Sequence, residues 1–441
     1  MFSFMNCIGQ LLSGFLTIVF TALFSLSSLL GGINQELPKT PEDFAPILRF
    51  VVCSDVHLDC TNDQNRETKF EALFTDTYKY AAKSSYKKLD AVIVAGDFAN
   101  SGLDEEYIRF NELVDKNIKP ETQLLTCMGN HEFINYRDYD ATIAYERYKA
   151  LINENVDTHI VINGYHFIGV SYDNNGKTFK GKTEWLDAQL KEASKDTPDK
   201  PIFVYQHPHP TATVYGSINW SDVDIRSVLT KYPHVIDFSG HSHYTPTDPR
   251  SVWQGSFTAI GTGSTRALMS NLNYFGHDKD APGDSGTCWI VEVDADGNTR
   301  LQLWDLANHK FFEKNEYYFV NSTKPTDHKY TWGNLKSLDT APQFPEGATV
   351  TAKRNSEGSV ILSFPDATAY WGAENYKISV TKGCFKDVWS ETVVSNYVRT
   401  VSDGMNVDLG NLEAGTYTVR IKPYSPYAKG GQTLKATITV E

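Results

Sequence analysis

Phe50-Val51-Val52-Cys53-Ser54-Asp55-Val56-His57 starts as an apolar run and ends on an aspartate and a histidine two residues apart. A short run of this kind, bounded by polar residues and rich in β-branched side chains, reads as a strand buried on both faces. The design returns four times. Ala91 to Gly96 precedes Asp97, Leu124 to Gly129 precedes Asn130-His131-Glu132, Ile202 to Gln206 precedes His207, and Val235 to Gly240 precedes His241-Ser242-His243. In an open α/β sheet the carboxyl ends of neighbouring strands border one crevice, so these side chains can meet although the chain separates them widely.

Outward from these strands, apolar residues at three and four spacing predict helices over Arg66 to Lys88, Asp104 to Lys116, Asp140 to Asn153 and Thr183 to Lys195. The alternation of strands and helices from Arg49 to about Val320 is the pattern of an α/β architecture. Asn163-Gly164, between Ile160–Ile162 and Tyr165–Val170, is a two-residue hairpin signal. With a second hairpin expected at Thr287–Val293 and Thr299–Leu306, the sheets should be mixed.

Beyond Thr340 helical periodicity gives way to short alternating strands: Gly347 to Lys353, Ser359 to Phe364, Tyr376 to Thr381, Asn406 to Leu409, Gly415 to Pro423 and Leu434 to Val440. They predict an all-β, immunoglobulin-like sandwich over 341–441, after a linker near Leu335 to Pro345 where Pro342 and Pro345 punctuate the chain. The run Leu412 to Ile421 resembles a fibronectin type III domain, as does the strand ending Phe364-Pro365-Asp366, although a Trp is commoner where Phe364 stands.

The strand-end residues also select a chemistry. Imidazole nitrogens mixed with carboxylate and amide oxygens suit Zn, Mn or Fe, and no thiolate belongs to the set. Seven such groups are too many for one tetrahedral ion, whereas two ions sharing one carboxylate would leave positions open for water and a phosphoryl oxygen. Glycines before Asp97, Asn130 and His241 fit sharp turns and close approach at strand ends.

The ordered set D-x-H, G-D, G-N-H-E, a lone strand-end His and G-H-x-H resembles the calcineurin-like metallophosphoesterases, over about Arg49 to Val320. The resemblance implies two mixed sheets packed face to face and flanked by helices, an αββα arrangement, here over 34–335. It implies that Asp55, His57, Asp97 and His243 hold one divalent ion and Asp97, Asn130, His207 and His241 the other, with Asp97 bridging. His131 would be the general acid, and a hydroxide between the ions the nucleophile. The purple acid phosphatase branch normally has a Tyr three residues after the G-D aspartate and lacks the His of D-x-H; here Asn100 and His57 stand at those positions. Gly181-Lys182-Thr183-Glu184-Trp185-Leu186, with Lys200-Pro201-Ile202 and His207-Pro208, looks more like the bacterial cyclic-phosphodiesterase-type members. Three further residues are candidates: Glu132 to orient His131, His209 near the crevice, and Arg266 to bind a phosphate oxygen. For His209 the competing reading is an ordinary loop residue, and for Arg266 a surface salt bridge.

The rest of the chain sets bounds. A net charge of −13 across 441 residues disfavours gripping long nucleic acid, though a small phosphorylated substrate remains compatible. Leu11 to Leu30, within residues 1–33, is long and apolar enough for a cleaved signal peptide or an uncleaved membrane anchor, both of which imply export, with a buried core helix as the remaining reading. The six cysteines form no CxxC pair, and Cys53 and Cys127 read as buried thiols. The leading expectation is an exported phosphodiester or phosphomonoester hydrolase, whose sandwich could meet a cell-surface or polymer partner. The rival is a catalytically silent adhesion protein using Tyr370, Trp371, Trp389 and Tyr424 as exposed aromatics.

Overall fold

Leu48, Phe50 and Val52 point from the strand Pro46–Cys53 into one apolar core, while Val51 and Cys53 point into another. This alternation explains the unbroken apolar run, because a strand covered on both faces has no solvent side to keep polar. The structure, a computed structural model, describes residues 35–61, 63–136, 141–173, 176–271, 278–383 and 386–441. The apolar run Leu11 to Leu30 lies outside the described residues, as do Cys7 and Cys384. Among the described residues no helix is long and apolar enough to cross a membrane.

Two six-stranded sheets form the larger body. The first runs in the order Lys310–Phe319, Thr299–Asp305, Thr287–Asp294, Pro46–Cys53, Ala91–Ala95, Gln123–Cys127. Its last three strands are parallel and the others antiparallel. The second runs Val252–Gln254, Thr258–Gly261, Val235–Ser239, Ile202–Gln206, Tyr165–Gly169, Thr158–Ile162. Its four central strands are parallel, and the expected hairpin closes one edge with Asn163 and Gly164 at φ 50° and 76°. Both sheets are therefore mixed.

The sheets pack face to face around Phe50, whose ring meets Phe167, Phe203 and Phe238 at centroid distances of 5.1, 4.8 and 6.0 Å. Burying one such ring stabilises the fold by about 1.5–3 kcal/mol. Helices cover the outer faces: Gln64–Lys83, Asp104–Asn117 and Ala141–Leu151, then Thr183–Asp196 and Val223–Leu229.

The first helix stops at Lys83 rather than Lys88. The buried guanidinium of Arg49, paired with Glu292 at 2.6 Å, donates to Ser84 Oγ at 2.5 Å and to the carbonyls of Tyr86 and Lys88. Those carbonyls are turned toward Arg49, which ends the helical ladder. Nothing in the local periodicity signals a pull from 35 residues away.

At the carboxyl end a three-stranded antiparallel sheet (Thr351–Arg354, Val360–Phe364, Met405–Asp408) faces a four-stranded one (Lys386–Val394, Asn375–Lys382, Gly415–Tyr424, Leu434–Val440). Between them lies a separate core of Val360, Leu362, Phe364, Tyr376, Ile378, Val380, Val419 and Ile421. The strand Lys386–Val394 was not expected, because as an edge strand carrying Asp387 and Glu391 it lacks a clean alternation. The expectation of four exposed aromatics needs correction. Tyr370 is 49% exposed, but Trp389 packs against this carboxyl-terminal core and Trp371 donates its Nε1–H to Leu335 O at 3.0 Å. The segment taken as a linker is itself built in: Trp332–Leu338 is helical, and Asp339 accepts a 2.6 Å bond from Ser425.

Candidate functional site

The five strand ends do converge. Asp55, His57 and His243 bring their ligand atoms within 4.8 Å of one another, and so do Asp97, His207 and His241. A third group of the same kind joins His57, Asp97 and His131, so Asp97 stands between the others. His57 Nε2 lies 3.0 Å from His243 Nε2, which is 3.2 Å from Asp55 Oδ1. Asp97 Oδ2 is 2.9 Å from His207 Nε2, 3.9 Å from His131 Nε2 and 4.0 Å from His57 Nε2.

Strained turns aim these groups. Asp55, His57, Asp97, His241 and His243 all have φ between 51° and 72°, the left-handed region that Asp and His tolerate better than bulkier residues. The glycines serve close approach. A Cβ on Gly129 would lie 2.2 Å from Asp97 Oδ1, and one on Gly240 would lie 2.3 Å from Asp55 Oδ2.

Hydrogen bonding fixes which atoms remain free. His207 Nδ1 is 2.9 Å from Ala95 O, and since a carbonyl only accepts, Nδ1 carries a proton and Nε2 is left to face the Asp97 carboxyl. Asn130 Oδ1 is buried without a hydrogen-bond partner, an arrangement costly unless something electropositive meets it. Asp55 accepts from His241 N at 3.1 Å, and Asp97 from His131 N at 2.8 Å.

Electrostatics point the same way. Burial pulls His57 down to about 4 and His241 down to about 3, leaving both imidazoles neutral. For His207 burial acts downward too, but Asp97 and Asp55 outweigh it and hold the group up near about 10. Burial would raise Asp55 and Asp97, yet the surrounding histidines hold both well below the usual carboxylate range. Ionised carboxylates beside the neutral imidazoles of His57 and His241 are the state in which such groups bind cations, and a cation would displace the proton that His207 holds against the two carboxylates. The donor set and the orphaned Asn130 Oδ1 therefore fit a metal centre.

The other candidates fare differently. Glu132 does not touch His131. Its carboxyl accepts from the main-chain N–H groups of Asp97 and Ala99 at 3.0 Å each and of Gly129 at 2.6 Å, tying two ligand-bearing turns together. Burial and the charge of Asp97 push it up to about 8, with N–H donors acting against them. His131 is oriented instead by Asn100 O, 2.7 Å from Nδ1. A main-chain carbonyl leaves no side-chain signature, so Glu132, next in sequence, was the only visible choice.

His209 is buried behind the site, its Nδ1 2.9 Å from Ser239 Oγ and its Nε2 2.8 Å from Ser242 Oγ. Among the described residues Arg266 makes no side-chain ion pair, contrary to the salt-bridge reading; its N–H reaches Asp55 O at 3.3 Å, placing it beside the first cluster. Aromatic residues wall the other side. Trp220 stands edge-on to His241 at 5.1 Å, and Tyr172, stacked on Phe179 at 4.9 Å, lies 6.2 Å from His207.

A model of the calcineurin-like phosphoesterase family matches residues 48–245. The chain is 22% identical over 281 residues to the 3′,5′-cyclic adenosine monophosphate phosphodiesterase CpdA of Haemophilus influenzae, covering 60% of this chain and 93% of that one. It is 29% identical over 180 residues to a protein of Arcobacter nitrofigilis named "Probable glycerophosphodiester phosphodiesterase GpdQ", covering 36% and 59% respectively. Among solved structures it is similar to the purple acid phosphatase PPD1 from yellow lupin (Lupinus luteus) seeds, at 12% identity and a TM-score of 0.45 over 63% of this chain and 55% of that one. Residues 48–245 thus match the calcineurin-like phosphoesterase family model and carry the converging Asp and His clusters, and the family match and the two curated relatives together support a metal-dependent phosphoesterase.

Proposed function

We propose that the protein hydrolyses small phosphodiesters at a dinuclear centre, one cation held by Asp55, His57, Asp97 and His243 and the other by Asp97, Asn130, His207 and His241. The observation that carries this reading is the position of Asp97, whose carboxyl belongs to a cluster on either side. Phosphodiesters are favoured over monoesters because two of the matched relatives are named for diester hydrolysis. Two bound divalent ions, Mn, Zn or Fe by donor type, would neutralise the phosphoryl oxygens and lower the pKa of water toward 7.

The chain's own groups do the rest. Hydrolysis forms one P–O bond from water and breaks the ester P–O bond, and the departing oxygen needs a proton. His131 is 28% exposed, more than His57, His207 or His243, and its Nδ1–H is engaged by Asn100 O. That carbonyl steadies the protonated ring and leaves Nε2–H to protonate the leaving oxygen. Tyr172, backed by the buried Phe179, helps exclude water from the His207–His241 side, and the more open Trp220 is the aromatic wall left for the ester's organic groups.

We also propose export, led by the run Leu11 to Leu30, with residues 341–441 as a fibronectin type III-like sandwich. Metal analysis with hydrolysis of bis-p-nitrophenyl phosphate tests the catalytic reading, using His131→Ala as control. Turnover lost in the variant at unchanged metal content supports it; metal binding with wild-type rates no higher than the variant's favours the adhesion alternative. Edman sequencing of the exported protein tests the leader.

A further inference from the structure

Tyr215 sits in the segment Thr211–Trp220, which runs from beside His207 to the indole that faces His241. Its hydroxyl is 3.1 Å from Glu374 Oε1, a residue of the carboxyl-terminal sandwich 159 positions away. Glu374 is buried, and the same oxygen accepts a 2.5 Å bond from Arg250 Nη2. Arg250 lies over the Tyr215 ring at 4.1 Å, pairs with Asp248, and accepts the Tyr215 N–H on its carbonyl at 2.9 Å. One carboxyl of the sandwich thus closes a buried network on the tyrosine that anchors this segment.

The opposite side of the segment rests on the histidine loop. A Cβ on Gly216 would come within 2.8 Å of Ser242, which lies between His241 and His243, and the Tyr215 ring meets Tyr244 at 4.7 Å. Trp220 is tied back to the same turn by its N–H to Gly216 O at 3.0 Å. The segment is therefore clamped between Glu374 and the loop that carries two of the proposed ligands. A buried carboxyl with a tyrosine hydroxyl and a guanidinium on one oxygen fixes its partners in a single geometry.

We propose that the sandwich is a working part of the hydrolase: Glu374, acting through Tyr215, is a positioning residue that sets the Trp220 wall against which the substrate's organic group lies. This rests on the phosphodiesterase reading above. It also gives the sandwich a role that needs no external ligand.

The test uses the full chain with Glu374→Ala, Glu374→Gln, Trp220→Ala and the Ala/Ala double variant. Substrates are bis-p-nitrophenyl phosphate and methyl p-nitrophenyl phosphate, which share a leaving group and differ in the retained one. Glu374→Ala should raise KM for the bis ester by about tenfold, the scale of one lost buried hydrogen bond, with a smaller rise for the methyl ester and kcat and metal content little changed. Glu374→Gln, which keeps an acceptor for Tyr215, should recover most of the loss. The double variant should be no worse than Trp220→Ala alone.

Amide hydrogen exchange supplies a readout independent of turnover: peptides spanning 211–220 should exchange faster in Glu374→Ala while those spanning 91–97 stay protected. Unchanged KM and unchanged exchange would overturn the inference, as would strictly additive effects of Glu374→Ala and Trp220→Ala. No turnover by the wild type would sink the catalytic reading alone, and exchange would still decide the coupling. Should Glu374→Ala not fold, Tyr215→Phe removes the hydroxyl together with its bonds to Asn271 and Ser270, and should raise KM for the bis ester and speed exchange over 211–220 at least as much; unchanged KM and exchange there would overturn the inference.

Discussion

On the first sheet one acidic group, Glu132, draws three main-chain N–H groups from the turns of Asp97 and Asn130 onto itself. On the second, His209, which burial holds down at about 3 and hence neutral, spans two serine hydroxyls, one of them inside the His241–His243 loop. The first tie shapes backbone and the second only side chains. The sheets also brace each other: His207 is held by Ala95 O of the first, and Asp55 by His241 N of the second. Neither half of the crevice is shaped by its own sheet alone. The difference predicts where damage spreads, because removing a group that satisfies buried N–H donors leaves several orphans, whereas removing a neutral bridge leaves hydroxyls that can turn to one another.

The largest effect should come from the group the two halves share. Asp97→Ala should lower kcat/KM by well over about a hundredfold, beyond the range seen for outer-shell partners, and halve or abolish bound metal by elemental analysis. Retained metal and activity would break the idea of a shared carboxyl. His131→Ala should cost about 10²–10⁴ in kcat with metal content intact, which separates proton delivery from cation holding.

Glu132→Ala against His209→Ala is the direct test of the two ties. The first should cost about 10- to 100-fold in metal affinity and lower the melting temperature sharply; the second should cost distinctly less in both. Equal losses would mean the two ties do the same job. The smallest effect is a pH dependence at the sandwich contact. Burial raises Glu374 against Arg250, with Asp248 adding to the rise, to about 7. A group raised in the folded state stabilises below its unfolded value, about 4.3, and loses that contribution as pH climbs through the folded one. The wild-type melting temperature should therefore fall between pH 5 and pH 8 by more than that of Glu374→Gln, measured side by side.

The centre was legible because its chemistry lies at the ends of strands, where a change from apolar to Asp, Asn or His is visible without any neighbour. Asp55, His57, Asp97, His207, His241 and His243 meet as their order suggested. What could not be read was pairing at a distance. Arg49 ends a helix 35 residues on, Glu132 serves turns rather than the imidazole beside it, and Glu374 reaches Tyr215 across the chain. Each is a polar residue buried by tertiary packing, and sequence pattern carries no record of which distant partner satisfies it. The strand Lys386–Val394 escaped for a related reason, since an edge strand need not alternate.

The left-handed backbone at Asp55, His57, Asp97, His241 and His243 restricts what chemistry could ever replace the present one. A designer wishing to convert this pocket to a softer or redox-active ion would have to install cysteine or methionine where the main chain favours asparagine, aspartate, histidine or glycine. The path of the polypeptide thus preselects hard and borderline cations before any side chain has made contact.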